Sequence, residues 1–347
     1  MSRPDRNRNR SEVTTAAGET LLDVRNLSKH FSIKRGWFSR AAELRAVDTV
    51  SFDLKRGEVL GLVGESGCGK STTSNLIMRL LSPTSGSIHF GGVDIATLRE
   101  RAGQSFSRHI QMVFQDPFSS LNPLLTAGQN VMEPLRVQKV GTVQQRRERA
   151  AELFNQVGLR PEHMDRKPGQ FSGGQRQRIG IARALALQPE LVILDEPVSA
   201  LDVSVQAQVL NLLRRLQQEM GLSYLFVSHD LSVVRHICDR IAVMYLGKIV
   251  EIGAREEIFR MPRHPYTHAL MSAVPVPDPA ARRKRVRLQG EAPGLDDLPK
   301  GCRFASRCPK AQSICREVEP ALTQTGGATH SAACHFPMDD MSMEASR

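Results

Sequence analysis

The segment Gly64-Glu65-Ser66-Gly67-Cys68-Gly69-Lys70-Ser71 consists of a glycine, four residues and then Gly-Lys-Ser. It follows an apolar segment, Val59–Val63, and precedes a segment of helical composition, Ser71–Leu81. Glycines allow the backbone to turn several N–H groups towards one point, at the positive end of the following helix. The pattern therefore predicts a phosphate-binding loop in which Lys70 reaches the terminal phosphates and the Ser71 hydroxyl binds Mg²⁺.

Strand-like segments alternate with helical segments on both sides of this loop. The predicted strands are Ser51–Leu54, Val59–Val63, Ile88–Phe90, Ile110–Phe114, Leu191–Leu194 and Tyr224–Val227, followed by a hairpin of Ile241–Tyr245 and Ile249–Ile252. Apolar residues from Val205 to Leu216 recur at helical spacing. This alternation predicts an α/β fold with a mostly parallel sheet covered on both faces. Residues of about 116–180 have helical character, with Arg146–Val157 as the clearest helix, and form a predicted inserted helical subdomain.

The 347 residues divide into three predicted parts. Residues 1–20 are polar and arginine-rich with no apolar core, which predicts a disordered basic tail and no secretory signal. Residues 21–260 carry the alternating pattern, and residues 261–347 are interrupted by prolines and predict an irregular extension. No apolar run is long enough to span a membrane, so we expect a cytoplasmic protein whose partners supply any pore.

The net charge of +11 raises the question of nucleic-acid binding. Residues 1–45 and 278–310 each contribute +5, which leaves +1 for the rest of the chain. The basic segments lack the interleaved aromatic residues that stack on bases. Their position at the flanks favours solvated tails or attraction to an anionic membrane surface, and nucleic acid is not an expected partner.

An acidic pair, Asp195-Glu196, directly follows the apolar segment Leu191–Leu194. The carboxyl end of a parallel strand is where such a fold presents its ligand-binding side chains. Beside a phosphate loop, Asp195 is predicted to hold Mg²⁺ and Glu196 to polarise the attacking water.

A second glycine turn, Phe171-Ser172-Gly173-Gly174-Gln175, precedes a polar helix start. It predicts another anion-binding helix terminus. One chain does not need two such sites for one triphosphate, whereas in a dimer each partner can offer this terminus to the nucleotide held by the other. The sequence therefore predicts a head-to-tail dimer that closes on ATP.

Together these residues resemble the ATP-binding subunits of ATP-binding-cassette (ABC) transporters over about residues 21–261. The resemblance implies a P-loop NTPase fold with a RecA-like core, an antiparallel β subdomain and a helical subdomain. It identifies 64–71 as Walker A, 191–196 as Walker B, 199–202 as the D-loop, and Ser172, Gly173, Gly174 and Gln175 as the signature that contacts the partner's ATP. The implied ATP-binding residues are Phe31, Gly64, Glu65, Ser66, Gly67, Cys68, Gly69, Lys70, Ser71, Thr72, Gln115 and His229. The implied Mg²⁺ ligands are Ser71, Gln115 and Asp195, and the implied catalytic residues are Glu196, His229 and Gln115.

Further motifs resemble the oligopeptide/dipeptide importer branch of this family. They are Gln115-Asp116-Pro117, Asn122-Pro123, the run from Glu196 to Ser204, His264-Pro265-Tyr266-Thr267 and the cysteine-containing tail. The segment 274–279 is similar to the F-type subunit of such importers. The resemblance implies a second ATPase subunit, two integral membrane permease subunits and an extracytoplasmic solute-binding protein as partners, at the cytoplasmic face of the inner membrane. The solute could also be nickel or glutathione, since specificity resides in those partners.

Four cysteines, Cys302, Cys308, Cys315 and Cys334, are clustered near the end of the chain. Structural zinc favours closer pairs, disulfides are disfavoured in the cytoplasm, and free thiols are a third alternative. Four thiolates also suit a [4Fe–4S] cluster, and the resemblance to peptide importers implies a cluster in this region.

Two other classes of protein use the signature loop. DNA-repair and chromosome-organising ATPases insert a long coiled coil between Walker A and the signature, whereas the interval here contains no sustained heptads. Translation factors of this kind carry two cassettes in one chain, and this chain has one. A transport ATPase is therefore the expected function.

Overall fold

A computed structural model of the chain describes residues 18–33, 42–98, 106–116, 118–273, 293–295, 298–325 and 329–339. The predicted disordered tail lies outside these residues apart from 18–20, and so do the segment 274–279, Pro117 and most of the basic segment 278–310.

The centre of the fold is an eight-stranded sheet in the order β11-β12-β10-β9-β3-β8-β7-β6. Its strands are β3 (Val59–Val63), β6 (Ile110–Val113), β7 (Leu191–Asp195), β8 (Ser223–Ser228), β9 (Arg240–Tyr245), β10 (Lys248–Ala254), β11 (Thr323–Gln324) and β12 (Ser331–Ala332). The five strands from β9 to β6 in this order pair in parallel, while β9, β10, β12 and β11 pair antiparallel. Because β3, β7 and β8 are wholly buried, both faces of the sheet are covered.

A second, antiparallel sheet has the order β2-β1-β4-β5. It consists of β1 (Thr20–Ile33), β2 (Ala42–Lys55), β4 (Ser85–Phe90) and β5 (Val93–Asp94). Alternate residues of β1, including Leu22 and Val24, pack in one core with Leu60 and Leu62 of the central sheet. The predicted strand Ser51–Leu54 covers only the end of β2 and none of β1. Register shifts interrupt the pairing of these two long strands.

The helices follow the predicted alternation. They are α1 (Lys70–Ile77), α2 (Ala127–Val137), α3 (Val143–Gln156), α4 (Gly173–Leu185), α5 (Val203–Met220), α6 (Leu231–Ile237), α7 (Arg255–Arg260), α8 (Pro265–Ser272) and α9 (Ser313–Glu317). Helices α2 and α3 and the first part of α4 lie in the range of about 116–180 for which the helical subdomain is predicted. Thr126 and Thr142 cap α2 and α3 with reciprocal side-chain bonds to Gln129 and Gln145, which defines where both helices begin.

The C-terminal extension is attached to the central sheet rather than separate from it. Strand β12 pairs with β10 through Glu251 and Ile252. The buried carboxylate of Glu251 accepts the N–H groups of Arg263 and His264 at 2.6 and 2.9 Å and contacts Nε2 of His330 at 2.6 Å. Across the described part of the chain, no helix is both long and apolar enough to cross a membrane.

Candidate active site

The predicted phosphate loop runs from the end of β3 to the start of α1. Gly69 precedes α1 in the left-handed region with φ of 108°. A Cβ atom at Gly69 would lie 2.2 Å from the carbonyl oxygen of Ala46, so both its conformation and its surroundings require glycine. The loop therefore has the close-packed turn that the motif predicts.

Lys70 and Glu65 fix the shape of the loop. Nζ of Lys70 donates to the carbonyl oxygens of Gly64 and Glu65 at 2.8 and 2.9 Å. The N–H of Glu65 donates to the hydroxyl of Tyr266 at 2.9 Å, and its carboxylate accepts two bonds from Arg307 at 2.9 and 3.1 Å. The loop is thus bound from outside by two residues of the C-terminal extension.

Ser71 and Asp195 are brought together from α1 and the end of β7. Oγ of Ser71 donates to Oδ1 of Asp195 at 3.2 Å. Burial raises the pKa of Asp195 and the charge of Glu196 raises it further, while the Ser71 bond and Lys70 oppose the shift. A hydroxyl and a carboxylate oxygen at this distance are the donor types that Mg²⁺ prefers, so these residues fit the predicted ion.

Glu196 is held between two neighbouring loops. Its carboxylate accepts from Nε2 of Gln115 at 2.9 Å and contacts Nδ1 of His229 at 3.0 Å. Its backbone has φ of 46°, an uncommon left-handed conformation, and its N–H donates to the carbonyl of Val227 at 3.0 Å. Strands β6, β7 and β8 are adjacent in the sheet, so the three side chains meet at its carboxyl edge.

A cavity of about 720 Å³ joins the phosphate loop to this carboxylate. The predicted residues that line it are Phe31, Glu65, Ser66, Gly67, Gly69, Lys70, Ser71, Thr72, Gln115, Glu196 and His229. Gly64 and Cys68 are not among the lining residues; the Cys68 side chain is buried, and this burial raises the pKa of its thiol. Sequence reasoning missed Leu44, Ala46, Leu270 and Leu295, which also line the cavity and belong to no motif.

The predicted signature does not line this cavity. Ser172 caps α4: its Oγ accepts the N–H of Gln175 at 3.3 Å, while Oε1 of Gln175 accepts the N–H of Ser172 at 3.0 Å. Phe171 is buried and packs edge-on against His163. The signature is therefore a rigid helix start whose Ser172 is exposed.

The four clustered cysteines line one small cavity together with His264 and His335. All four are free thiols. Burial, together with the charges of Cys308, Cys302 and Cys315, raises the pKa of Cys334 to about 11. Within the described ranges, no group of three or more His, Cys, Asp or Glu side chains is arranged to hold a metal ion. The cysteines converge on one place, but the structure does not show a formed metal site.

Two family models match the chain. Residues 47–199 match the ABC transporter model, and residues 250–315 match the C-terminal region of oligopeptide/dipeptide transporters. The oligopeptide transport ATP-binding protein AppF of Bacillus subtilis is 52% identical over 328 residues, which cover 93% of this chain and 99% of that protein. The dipeptide transport ATP-binding protein DppF of Escherichia coli is 50% identical over 309 residues, covering 89% and 92%.

Solved structures are similar to the cassette part of the chain. A dimeric ATP-binding cassette, MJ0796 bound to ADP and Pi, is 32% identical with a TM-score of 0.59, covering 67% of this chain and 98% of that one. The cbiO1 protein of Clostridium perfringens is 28% identical with a TM-score of 0.60, covering 70% and 91%. The ABC fold predicted from the sequence is confirmed. On the strength of the relatives matched over nearly their whole length, the chain belongs to the family of ABC transporter ATP-binding proteins.

Proposed function

We propose that this chain binds and hydrolyses ATP to energise the import of oligopeptides or dipeptides through separate membrane subunits. The observation that carries the chemistry is Glu196, held by Gln115 and His229 in the cavity that the phosphate loop also lines. The peptide substrate is supported by the names of AppF and DppF, which are oligopeptide and dipeptide transport proteins.

The proposed roles of the site residues follow from their contacts. Lys70 is free to exchange its two loop carbonyls for phosphate oxygens, which are stronger acceptors. Glu196 orients the attacking water and accepts its proton, with Gln115 and His229 fixing the carboxylate. The ring of Phe31 and the side chain of Leu44 provide an apolar wall for the adenine.

Ser71 and Asp195, with Gln115 nearby, are the residues that would hold Mg²⁺. When bound, the ion neutralises charge on the β- and γ-phosphates. The rest of the catalytic power comes from positioning by the chain's own groups, because phosphoryl transfer needs little covalent participation by the protein.

The signature supports a head-to-tail dimer. Ser172, Gly173, Gly174 and Gln175 present helix N–H groups and an exposed serine away from the chain's own cavity. In the proposed dimer they bind the γ-phosphate held by a second cassette, so ATP joins the two and its hydrolysis lets them part.

The remaining partners are two integral membrane permease subunits and an extracytoplasmic solute-binding protein, with this chain attached peripherally at the cytoplasmic face of the membrane. Nickel or glutathione as the solute would leave the same ATP site unchanged. The decisive experiment is to purify the assembled complex and to identify its chains and any bound solute by mass spectrometry. Recovery of this chain with permeases and a peptide supports the proposal, whereas recovery with DNA or ribosomes contradicts it.

We propose further that Cys302, Cys308, Cys315 and Cys334 hold a [4Fe–4S] cluster. The proposal is supported by the four free thiols, which line one cavity. To bind the cluster, the four side chains would have to move closer together. When bound, such a cluster would stabilise a short segment of the extension. Iron, zinc and acid-labile sulfide are to be measured after anaerobic purification. Stoichiometric iron and sulfide support the proposed cluster. Stoichiometric zinc would instead indicate a zinc site, and the absence of both metals would indicate free thiols.

A further inference from the structure

Arg307 connects the cysteine segment of the extension to the phosphate loop. Its guanidinium donates to both carboxylate oxygens of Glu65, at 2.9 and 3.1 Å, across 242 residues of sequence. The Arg307 side chain is 8% exposed and that of Glu65 is 34% exposed, so water screens this pair less than it screens a surface pair. Two parallel bonds to one carboxylate are the strong form of this interaction, and they fix direction as well as distance.

Both partners are held by rigid neighbours. Arg307 lies beside the ring of Tyr245, with 5.9 Å between guanidinium and ring centre, and donates to its hydroxyl at 3.3 Å. The ring of Tyr245 packs against Tyr266 and Phe304 with centroid distances of 4.6 and 5.4 Å. Because Tyr266 also accepts the N–H of Glu65, the aromatic cluster holds the backbone of Glu65 directly and its side chain through Arg307.

The charge of Glu65 matters because this residue lines the nucleotide cavity. An unpaired carboxylate at that position would repel a triphosphate, whereas a paired one presents little net charge. The extension also supplies Leu270 and Leu295 to the wall of the same cavity, and the carbonyl of Leu295 accepts the N–H of Arg45 at 3.3 Å. The extension is therefore in contact with the nucleotide site at several points.

We infer that Arg307 is a positioning residue of the nucleotide site: it holds and neutralises the carboxylate of Glu65, so that the phosphate loop accepts an anionic triphosphate. This inference rests on the proposed ATP site. It makes the C-terminal extension a component of nucleotide binding, in addition to any role in assembly.

The test compares MgATP binding by the full-length wild-type chain and three variants, using isothermal titration calorimetry. Arg307→Ala should raise the Kd about tenfold, because it leaves the Glu65 carboxylate unpaired. The double variant Arg307→Ala/Glu65→Gln should return to within about threefold of wild type, since the repelling charge is gone. Arg316→Ala, which removes an exposed cation from the same segment, should bind as wild type does.

Each outcome decides a separate question. If the wild type and Arg316→Ala do not bind MgATP, the proposed function fails. If they bind and a folded Arg307→Ala binds equally well, Arg307 serves only to attach the extension and the inference is wrong. An equal loss of affinity in the single and double variants also contradicts the inference, because the Glu65 charge would then be irrelevant.

If Arg307→Ala does not fold, Arg307→Lys replaces it, since lysine keeps the charge without the paired geometry. Arg307→Lys should show a smaller loss of MgATP affinity, and the double variant Arg307→Lys/Glu65→Gln should remove that loss.

Discussion

Nδ1 of His229 lies 3.0 Å from Oε1 of Glu196, although the two residues follow different strands. The other carboxylate oxygen accepts from Gln115, so neither oxygen is free to rotate away from the cavity. Glu196 is 14% exposed and His229 54% exposed in their side chains. The carboxylate is therefore held in one orientation, and the more exposed histidine lines the same cavity.

Glu196→Gln should preserve MgATP binding and lower ATP turnover by roughly 10²–10⁴-fold in the assembled complex, since the amide cannot accept a proton from water. The closed dimer should accumulate and is to be measured by light scattering. Glu190→Gln is the matched control, because Glu190 lies at the opposite end of β7 and pairs with Arg56 and His109. Near-normal single-site hydrolysis by Glu196→Gln would reject its assigned role.

Ser172→Arg should leave ATP binding by the isolated chain unchanged and abolish hydrolysis by the assembled complex. The added side chain projects from an exposed helix start, where the partner's phosphate is proposed to approach. Loss of the cap itself costs about 1 kcal/mol, so Thr142→Arg, at an equivalent exposed cap on α3, controls for that effect. Weakened binding by the isolated Ser172→Arg chain would show that the signature acts within one chain.

Glu251→Ala should lower the free energy of unfolding by about 3 kcal/mol, because it leaves the N–H groups of Arg263 and His264 unpaired in a buried place. The midpoint of urea unfolding, followed by circular dichroism, measures the change. Glu256→Ala removes an exposed carboxylate nearby and should change stability by less than about 0.5 kcal/mol. Equal effects of the two variants would mean that Glu251 does not anchor the extension.

Cys334→Ser should lose iron and sulfide if the proposed cluster is present, and it should expose the extension to protease while MgATP binding at Lys70 continues. Limited proteolysis and metal analysis of the same sample check both effects. Cys238→Ala is the control, because Cys238 is fully buried in the main core and is not one of the four clustered cysteines. Unchanged iron content in Cys334→Ser would remove Cys334 from the ligand set.

The sequence motifs predict the candidate catalytic side chains from local signals. The phosphate loop needs glycine where the chain turns at φ of 108°, and the acidic pair comes directly after a buried strand, so each motif is contiguous. The alternation of strands and helices was enough to predict the parallel core, since βαβ connections leave few arrangements open. The prediction of the fold, which the relatives and solved structures confirm, rests on local patterns of this kind.

The sequence by itself thus determined the ABC cassette, the phosphate loop and the identity of the acidic pair. Only the tertiary structure decided how the extension returns: β12 pairs with β10, Leu295 reaches the cavity wall, and Arg307 binds Glu65. The extension contains few helices and strands among its described residues. A contact made by a single arginine or leucine with a distant residue leaves no periodic pattern in the sequence. Such contacts depend on the path of the whole chain. A leucine can be buried against any apolar surface and an arginine can pair with any carboxylate, so the fold decides which partner lies beside each of them.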